Sequence, residues 1–184
     1  MFTLDHRKAI EASALLLRLS SHKEMDRKRL LALLYLSDRE SLQKTGRPII
    51  GGRISALKHG PIHSEVYDLI KGAGQRQVEW SKSFENDDYR IKLRDDGDAI
   101  VSSLSRFEVD LLNDVSQRHS GFGTWELAEL THTPEYDKNY KEGTSTTIPF
   151  DDMIEAVGCG SQRESIIQDA SDKDFFDVFF QEAS

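Results

Sequence analysis

Two histidines, His59 and His63, lie four positions apart and close to the carboxylate of Glu65. On a helix this spacing would place both imidazoles on one face, where together with a carboxylate they could bind a zinc ion. However, Gly60 and Pro61 lie between them, and proline favours the first position of a helix. His59 would then precede the helix, so the two rings need not share a face. We therefore expect His59 to make a hydrogen bond that fixes the turn, and we expect no metal site.

No other motif indicates an enzyme. The glycines of residues 72–74 end a predicted helix instead of opening one, which argues against a dinucleotide-binding loop, and the sequence has no P-loop. A Ser/His/Asp triad could be assembled, but no serine lies in a G-x-S-x-G elbow. The single cysteine, Cys159, excludes an intrachain disulfide and a cysteine-rich zinc site. We therefore predict a protein without catalytic residues and without cofactors.

The net charge of −8 is distributed unevenly over the 184 residues. Residues 1–72 carry 13 lysines and arginines against 8 aspartates and glutamates, whereas residues 73–184 carry 11 against 24. The larger acidic part would repel a nucleic-acid backbone, although the N-terminal part could still present a basic face. The uneven charge could also steer a protein partner of complementary charge.

The composition, with 38% hydrophobic and 30% charged residues, is that of a globular protein. No apolar run approaches the roughly 20 residues that a membrane-spanning helix needs. The N-terminal apolar run is short and interrupted by charges, unlike a secretory signal. We therefore expect a cytoplasmic protein without a membrane partner.

The N-terminal part predicts two helices, from about Asp5 to Ser20 and from about Asp26 to Lys44. Leucines spread round most of the second helix, which is typical of a helix in the middle of a bundle. Its first residue, Asp26, is suited to cap the first turn. Gly46 suits the left-handed position after the helix, and Pro48 follows in a turn that cannot continue it.

The next elements are predicted to be shorter. A strand from Arg53 to Lys58 precedes a helix that begins at Pro61. Residues 77–93 alternate apolar and polar side chains, which predicts a β-hairpin with its turn from Glu85 to Asp88. This hairpin is the only clear sheet, and the strand from Arg53 to Lys58 could extend it.

Helices also dominate the later part of the chain. Ser105 and Glu108 form a capping box that starts a helix. Shorter helices are predicted over residues 124–130 and 148–158, with a loop between them that holds one helical turn around Tyr136.

These elements predict an α+β fold that is mainly α-helical. A single compact domain, residues 1–158, would hold a small antiparallel hairpin or three-stranded sheet. Three helices followed by a hairpin in its N-terminal half have the order of a winged helix, so a DNA-binding transcriptional regulator is one hypothesis. The third helix argues against it, because Glu65 and Asp68 stand where Arg, Asn or Gln would read bases.

Residues 159–184 form an acidic, aromatic C-terminal segment, which a second capping box of Ser161 and Glu164 would start. Its phenylalanines recur at i, i+1, i+4 and i+5, on one face of a helix. They are Phe175, Phe176, Phe179 and Phe180. This face would either cap the core of the domain or dock in a groove of a partner.

Between residues 27 and 67 the chain reads RLLALLYLSD, GRPIIGG and SALKHGPIHSEVY in succession, and later ELAELTHTPEY and IPFDDMI. In this combination the chain resembles the Panacea domain, the SocA-like antitoxin family of bacterial and phage toxin–antitoxin systems. The resemblance covers roughly Asp5 to Gly158. It departs from the family pattern at Ala32, where a lysine is usual, and at Tyr136, where a tryptophan is common.

The resemblance implies an antitoxin that neutralises a cognate protein toxin by binding it, without catalysis. It implies mainly structural roles for the motif residues. These are Leu33, Leu34, Tyr35, Gly46, Pro48, Ala56, His59, Gly60, Pro61, Val66, Tyr67, Thr131 and His132. A basic toxin could be drawn to the acidic part of the chain, and the four phenylalanines are candidates for binding it. Self-association and nucleic-acid binding stay open as further interactions.

Overall fold

The structure is a computed structural model that describes residues 1–74, 76–95 and 102–182, with residues 174–182 described by their backbone alone. Over these residues, nine α-helices and six short strands follow one another. The helices are α1 His6–Arg18, α2 Arg27–Thr45, α3 Ser64–Ile70, α4 Gln77–Ser83, α5 Arg106–Arg118, α6 Thr124–Leu130, α7 Pro134–Asn139, α8 Phe150–Ala156 and α9 Arg163–Glu182. The strands are β1 Glu24–Asp26, β2 Ile54–Leu57, β3 Gly60–His63, β4 Phe84–Asn86, β5 Arg90–Leu93 and β6 Thr146–Thr147. The prediction of a mainly α-helical α+β fold is confirmed.

Helix α2 lies between two hydrophobic clusters and contributes side chains to both. Leu30 and Leu34 belong to the cluster that includes residues of α1, α5 and the β4–β5 hairpin. Tyr35 and Leu42 belong to the second cluster, with residues of β2, α8 and the first half of α9. Because α2 is covered on both sides, its apolar residues can surround the cylinder, as the sequence predicted.

Both predicted ends of α2 are confirmed. The Asp26 carboxylate accepts a hydrogen bond from the backbone amide of Lys28, which satisfies one free donor of the first turn. At the other end Gly46 adopts a left-handed φ of 75°, and its amide donates to the carbonyl of Leu42.

The described residues form two three-stranded antiparallel sheets, ordered β1-β5-β4 and β3-β2-β6, where one was predicted. The prediction that a helix begins at Pro61 is wrong. Pro61 lies in β3 opposite Ala56, and α3 begins at Ser64. Proline is tolerated there because β3 is the edge strand of its sheet, where a missing amide removes no inner hydrogen bond.

The predicted hairpin over residues 77–93 is only partly right. Its first half is the helix α4, and the hairpin itself consists of β4 and β5. Trp80 and Phe84, four residues apart, are both buried, with ring centroids 4.4 Å apart. Val78, which strict alternation would place beside Trp80 in a strand, is exposed instead. The i, i+4 pairing of two large aromatic rings therefore outweighs the alternating pattern.

The sheet β1-β5-β4 has the strand order of a winged helix. Strand β1 lies between α1 and α2, and strands β4 and β5 follow α4. The β2–β3 hairpin and α3 are inserted between the second helix and the helix before the wing. The helix in the recognition position is consequently α4, and not the helix near residues 61–71 that the sequence indicated.

The later elements follow their local signals in most places. The capping box of Ser105 and Glu108 is confirmed, as are α6 and the helical turn at Tyr136, which is α7. The prediction that Ser161 and Glu164 form a second capping box is wrong, because Ser161 lies inside a 3-10 turn, Gly160–Gln162, that leads into α9. Within the described ranges, no helix has both the length and the apolar composition to cross a membrane.

Candidate interaction groove

A groove of about 170 Å³ opens between the start of α2, the β2–β3 hairpin and α6. Its floor is apolar and consists mainly of Leu31, Ala32, Ile62 and Ala128. This volume is below the roughly 300–1,000 Å³ that sites for small ligands usually offer. The groove therefore fits one or two side chains of a partner better than a whole cofactor.

An exposed tryptophan lies beside the groove, in contact with Lys28 and His59 of its lining. Trp125, in α6, has 58% of its surface exposed. The ammonium group of Lys28 lies 3.9 Å from the centre of its ring, and the imidazole of His59 packs edge-on at 5.1 Å. A cation over an indole face is attracted by the ring quadrupole, so Lys28 and Trp125 hold each other at the rim.

The neighbours of Lys28 fix the start of α2 to two further elements. The guanidinium of Arg27 lies 6.0 Å from the ring centre of the exposed Tyr89, whose carbonyl accepts the Arg27 amide at 2.9 Å. The guanidinium of Arg29 donates to the carbonyls of His119 and Phe122, at 2.8 and 2.6 Å. Three consecutive basic residues thus reach the β4–β5 hairpin, α6 and the end of α5.

The rim of the groove is basic. The residues that line it include Arg27, Lys28 and Lys58, and among the described residues its lining holds no carboxylate. Partial desolvation lowers the pKa of the His59 imidazole, and the charges of Lys28 and Lys58 lower it further. Glu129 on α6 acts in the opposite direction. The lowered pKa disfavours a charge on His59, so the positive potential of the rim comes mainly from the lysines and the arginine.

Close contacts hold the β2–β3 hairpin against α6 and α7. Gly60 has a φ of +114°, and the Thr131 side chain lies against its Cα. The Thr131 hydroxyl donates to the carbonyl of Ala128 at 2.6 Å, and the Tyr136 hydroxyl donates to the carbonyl of Leu57 at 2.8 Å. The wall of the groove is thereby fixed at both ends of the hairpin turn.

Behind the groove, a buried hydrogen-bond network joins α2 to α7. The Tyr35 hydroxyl donates to Oε1 of Glu135 at 2.6 Å and accepts from the Thr133 hydroxyl at 2.7 Å. Nε of Arg39 donates to the same Glu135 oxygen at 2.8 Å. Burial raises the pKa of Tyr35, and the charge of Glu135 raises it further, so the hydroxyl stays a donor.

A second buried network closes the loop after α2. The Asp38 carboxylate accepts the amides of Ile49, Ile50 and Gly51, each at 2.9 Å. Burial raises the pKa of Asp38 to about 7, although these three bonds act in the opposite direction. Nδ1 of His63 lies 3.0 Å from the Gly51 carbonyl, and burial lowers the pKa of that imidazole to about 4. Both side chains stabilise the conformation of the loop, and both are buried.

The comparison with family models gives one match, to the family described as "Antitoxin SocA-like, Panacea domain", over residues 30–136. The match covers more than half of the chain. The chain belongs to this family. The matched Panacea domain runs from the first turn of α2 to α7, a shorter range than the sequence resemblance suggested. Comparison with curated proteins and with solved structures gives no significant match.

The fold separates the motif residues of the Panacea domain into four groups. His59, Gly60, Pro61, Tyr67 and Thr131 line the groove. The two hydrophobic clusters contain Leu33, Leu34, Tyr35, Ala56 and Val66. Gly46 and Pro48 shape the loop after α2, and His132 stacks on Tyr136 at 4.5 Å. The motif thus describes the scaffold and one wall of the groove.

The two histidines considered for a metal site lie in different environments. His59 is exposed on the hairpin turn, whereas His63 is fully buried at the end of β3. The prediction that His59 fixes the turn by a hydrogen bond is wrong, since its ring contacts Trp125 instead. In the part of the chain that the structure describes, no group of three His, Cys, Asp or Glu side chains is placed to hold a metal ion.

The basic and aromatic rim of the Panacea domain was not identified from the sequence. The run Arg27-Lys28-Arg29 at a helix start was a usable signal, because cations there work against the helix dipole and call for another partner. Trp125 lies almost 100 residues later and gave no local sign of its contact with Lys28. The four phenylalanines fall on α9, where the side chains lie outside the described part of the chain.

Proposed function

We propose that this protein is the antitoxin of a toxin–antitoxin pair, that it acts in the cytoplasm and that it neutralises a protein toxin by direct binding. The observation that carries the proposal is the match of residues 30–136 to the SocA-like antitoxin family. The groove supports it, since basic side chains surround its apolar floor and the exposed Trp125 contacts two of its lining residues. Tryptophan, tyrosine and arginine are the residues that most often dominate the energy of protein–protein contacts.

Neutralisation by binding needs no catalytic group in this chain. The buried carboxylates and the buried histidine are used by the scaffold, with Asp38 holding the loop after α2 and Glu135 holding Tyr35. The part of the chain that could engage the toxin is therefore its surface. The groove and the phenylalanine-rich end of α9 are the two candidate surfaces.

The test is co-expression with the neighbouring open reading frame. We expect that frame to arrest growth when expressed alone, and to be tolerated when this protein is co-expressed. The two proteins should co-purify and elute together in size-exclusion chromatography. Rescue without any complex, or rescue by the untranslated RNA alone, would exclude direct neutralisation.

A DNA-binding transcriptional regulator is the second candidate function, and the β1-β5-β4 strand order favours it. Against it, α4 in the recognition position carries Glu79, and the following hairpin carries Glu85, Asp87 and Asp88. These four carboxylates offset the four lysines and arginines of residues 77–94, so this region has no net positive charge to attract the phosphates of a duplex. The test is a mobility-shift titration with the protein's own promoter at low salt, where the absence of a shift removes this candidate.

A further inference from the structure

The groove has a chemical character that suits one class of partner segment. We propose that it docks an acidic segment of the partner protein, with one apolar side chain on the groove floor and carboxylates on the surrounding cations. This inference rests on the proposed function, because it names the surface and the partner chemistry of toxin binding. The cations that it uses, Arg27, Lys28 and Lys58, all belong to the basic N-terminal part of the chain.

The first argument is charge. Arg27, Lys28 and Lys58 surround the groove, and within the described residues none of the three forms an ion pair. Several cations elsewhere in the fold are ion-paired, as in Lys8 with Glu108 and Arg39 with Glu135. Three such cations at one groove, in a chain with a net charge of −8, form a local positive patch. A carboxylate-rich segment is the complementary partner.

The second argument is exposed apolar surface beside these charges. Trp125, Phe122 and Leu130 are each at least 40% exposed, and all three belong to α6 or the turn before it. Of the three, Trp125 is connected to the groove through Lys28 and His59, and the floor of the groove is apolar. Exposed aromatic surface with a polar rim marks interaction sites on proteins. A partner segment with charged side chains alone would leave this apolar surface exposed to water.

The contacts of the aromatic rings favour a protein segment over single-stranded nucleic acid. Stacked bases need open ring faces, but Lys28 covers a face of Trp125 and Arg27 lies over Tyr89. The apolar groove, in contrast, accepts a side chain.

The experiment uses the full chain and a short end-blocked peptide of alternating glutamate and leucine. Trp80 is fully buried and Trp125 is exposed, so a change in tryptophan emission on titration reports the groove. Two further peptides serve as comparisons, one with lysine in place of glutamate and one with serine in place of leucine. A single-stranded oligonucleotide is titrated in parallel.

The variant is Lys28→Gln with Lys58→Gln, and the matched control is Lys44→Gln with Lys82→Gln. Lys44 lies on the same helix as Lys28 but about 24 Å away along its axis, and Lys82 lies on α4. Both double variants remove two surface charges, and thermal unfolding of each checks that it is folded at the temperature of the titration. We expect the groove variant to weaken binding of the glutamate–leucine peptide by about tenfold or more, and the control to leave it unchanged.

Three results would overturn the proposal. They are no binding of the glutamate–leucine peptide at low salt, equal losses in the two double variants, and tighter binding of the oligonucleotide with the same sensitivity to Lys28 and Lys58. The same variants are then tested for co-purification with the toxin. Undiminished toxin binding by the groove variant would refute the proposal that the groove binds the toxin, and would leave the proposed antitoxin function intact. If the peptide binds but the product of the neighbouring open reading frame is not neutralised, the antitoxin function is refuted and the groove remains a binding site for acidic segments.

Discussion

A Cβ atom on Gly60 would lie 2.5 Å from Oγ1 of Thr131, closer than any side chain can approach. Gly60 also has a φ of +114°, a backbone conformation that only glycine adopts readily. The two residues come from the separate motif segments SALKHGP and ELTH. Their contact explains why both segments belong to one pattern, since the hairpin can approach α6 only if one position is glycine.

Gly60→Ala should therefore destabilise the protein by about 3 kcal/mol or more, from overpacking and backbone strain together. The measurement is urea unfolding followed by circular dichroism. Gly143→Ala is the matched control, because Gly143 has a φ of +74° and no atom lies within 4 Å of the position that its added methyl group would take. It should cost about 1 kcal/mol from strain alone.

The part of this destabilisation that is due to the clash with Thr131 can be separated from the part that is due to backbone strain. Thr131→Ala removes the hydroxyl that Gly60→Ala would contact, so the double variant should recover part of the loss and show non-additivity. Additive losses in the cycle would contradict the contact as the cause.

Tyr35→Phe should destabilise the protein by about 1–3 kcal/mol, since it leaves the buried Glu135 without one donor and Thr133 without its acceptor. Thermal unfolding measures the effect. Tyr140→Phe is the control, because Tyr140 stacks on Tyr136 and its ring contact survives the change. Equal losses in both variants would indicate that the Tyr35 hydroxyl contributes nothing specific.

Local signals in the sequence predicted much of the helical part of this fold. The ends of α2 at Asp26 and Gly46, and the capping box of Ser105 and Glu108, depend on residues within three or four positions. Such signals act on the chain before any tertiary contact forms. This is why α2, α5 and α6 were placed within one or two residues.

Elements that depend on distant partners could not be predicted in the same way. Strand β1 is three residues long and exists because Met25 pairs with Ile91 of β5, 66 positions later. The groove depends on Lys28 meeting Trp125, and no periodicity encodes that contact. Asp38 accepts hydrogen bonds from three backbone amides of the following loop, and no pattern in the sequence indicates that role. Register and tertiary contact decide these features, and local patterns do not.

The pH dependence of stability should change in a His63→Gln variant. Burial lowers the pKa of folded His63 to about 4, against about 6.5 in an unfolded chain. As the pH falls below 6.5 the unfolded chain takes up the proton first, so His63 lowers the free energy of unfolding by about 2 kcal/mol between pH 7 and 5. Glutamine can donate to the Gly51 carbonyl without titrating.

The neighbouring Asp38, whose Oδ2 lies 3.7 Å from Nε2 of His63, acts with the opposite sign. Its folded pKa of about 7 exceeds the unfolded value, so it adds stability as the pH falls through this range. Relative to the wild type, His63→Gln should therefore gain stability at pH 5 compared with pH 7 in urea titrations. If the free energy of unfolding of the two proteins changes with pH in the same way, the pKa of His63 is not lowered by folding.

Deleting residues 172–184 should impair toxin binding more than folding. Ile166 and Ala170, in the first half of α9, are buried in the second cluster, and Ile166 lies 3.3 Å from the position that a Cβ of Gly46 would take. The truncated chain keeps both residues, so we expect its free energy of unfolding to fall by about 1 kcal/mol or less, while co-purification with the toxin is lost. Ile166→Ala is the contrasting variant, with a cost of about 2–4 kcal/mol from the cavity it leaves and with toxin binding retained under conditions where it stays folded. A truncated chain that unfolds would assign the phenylalanine face to the core.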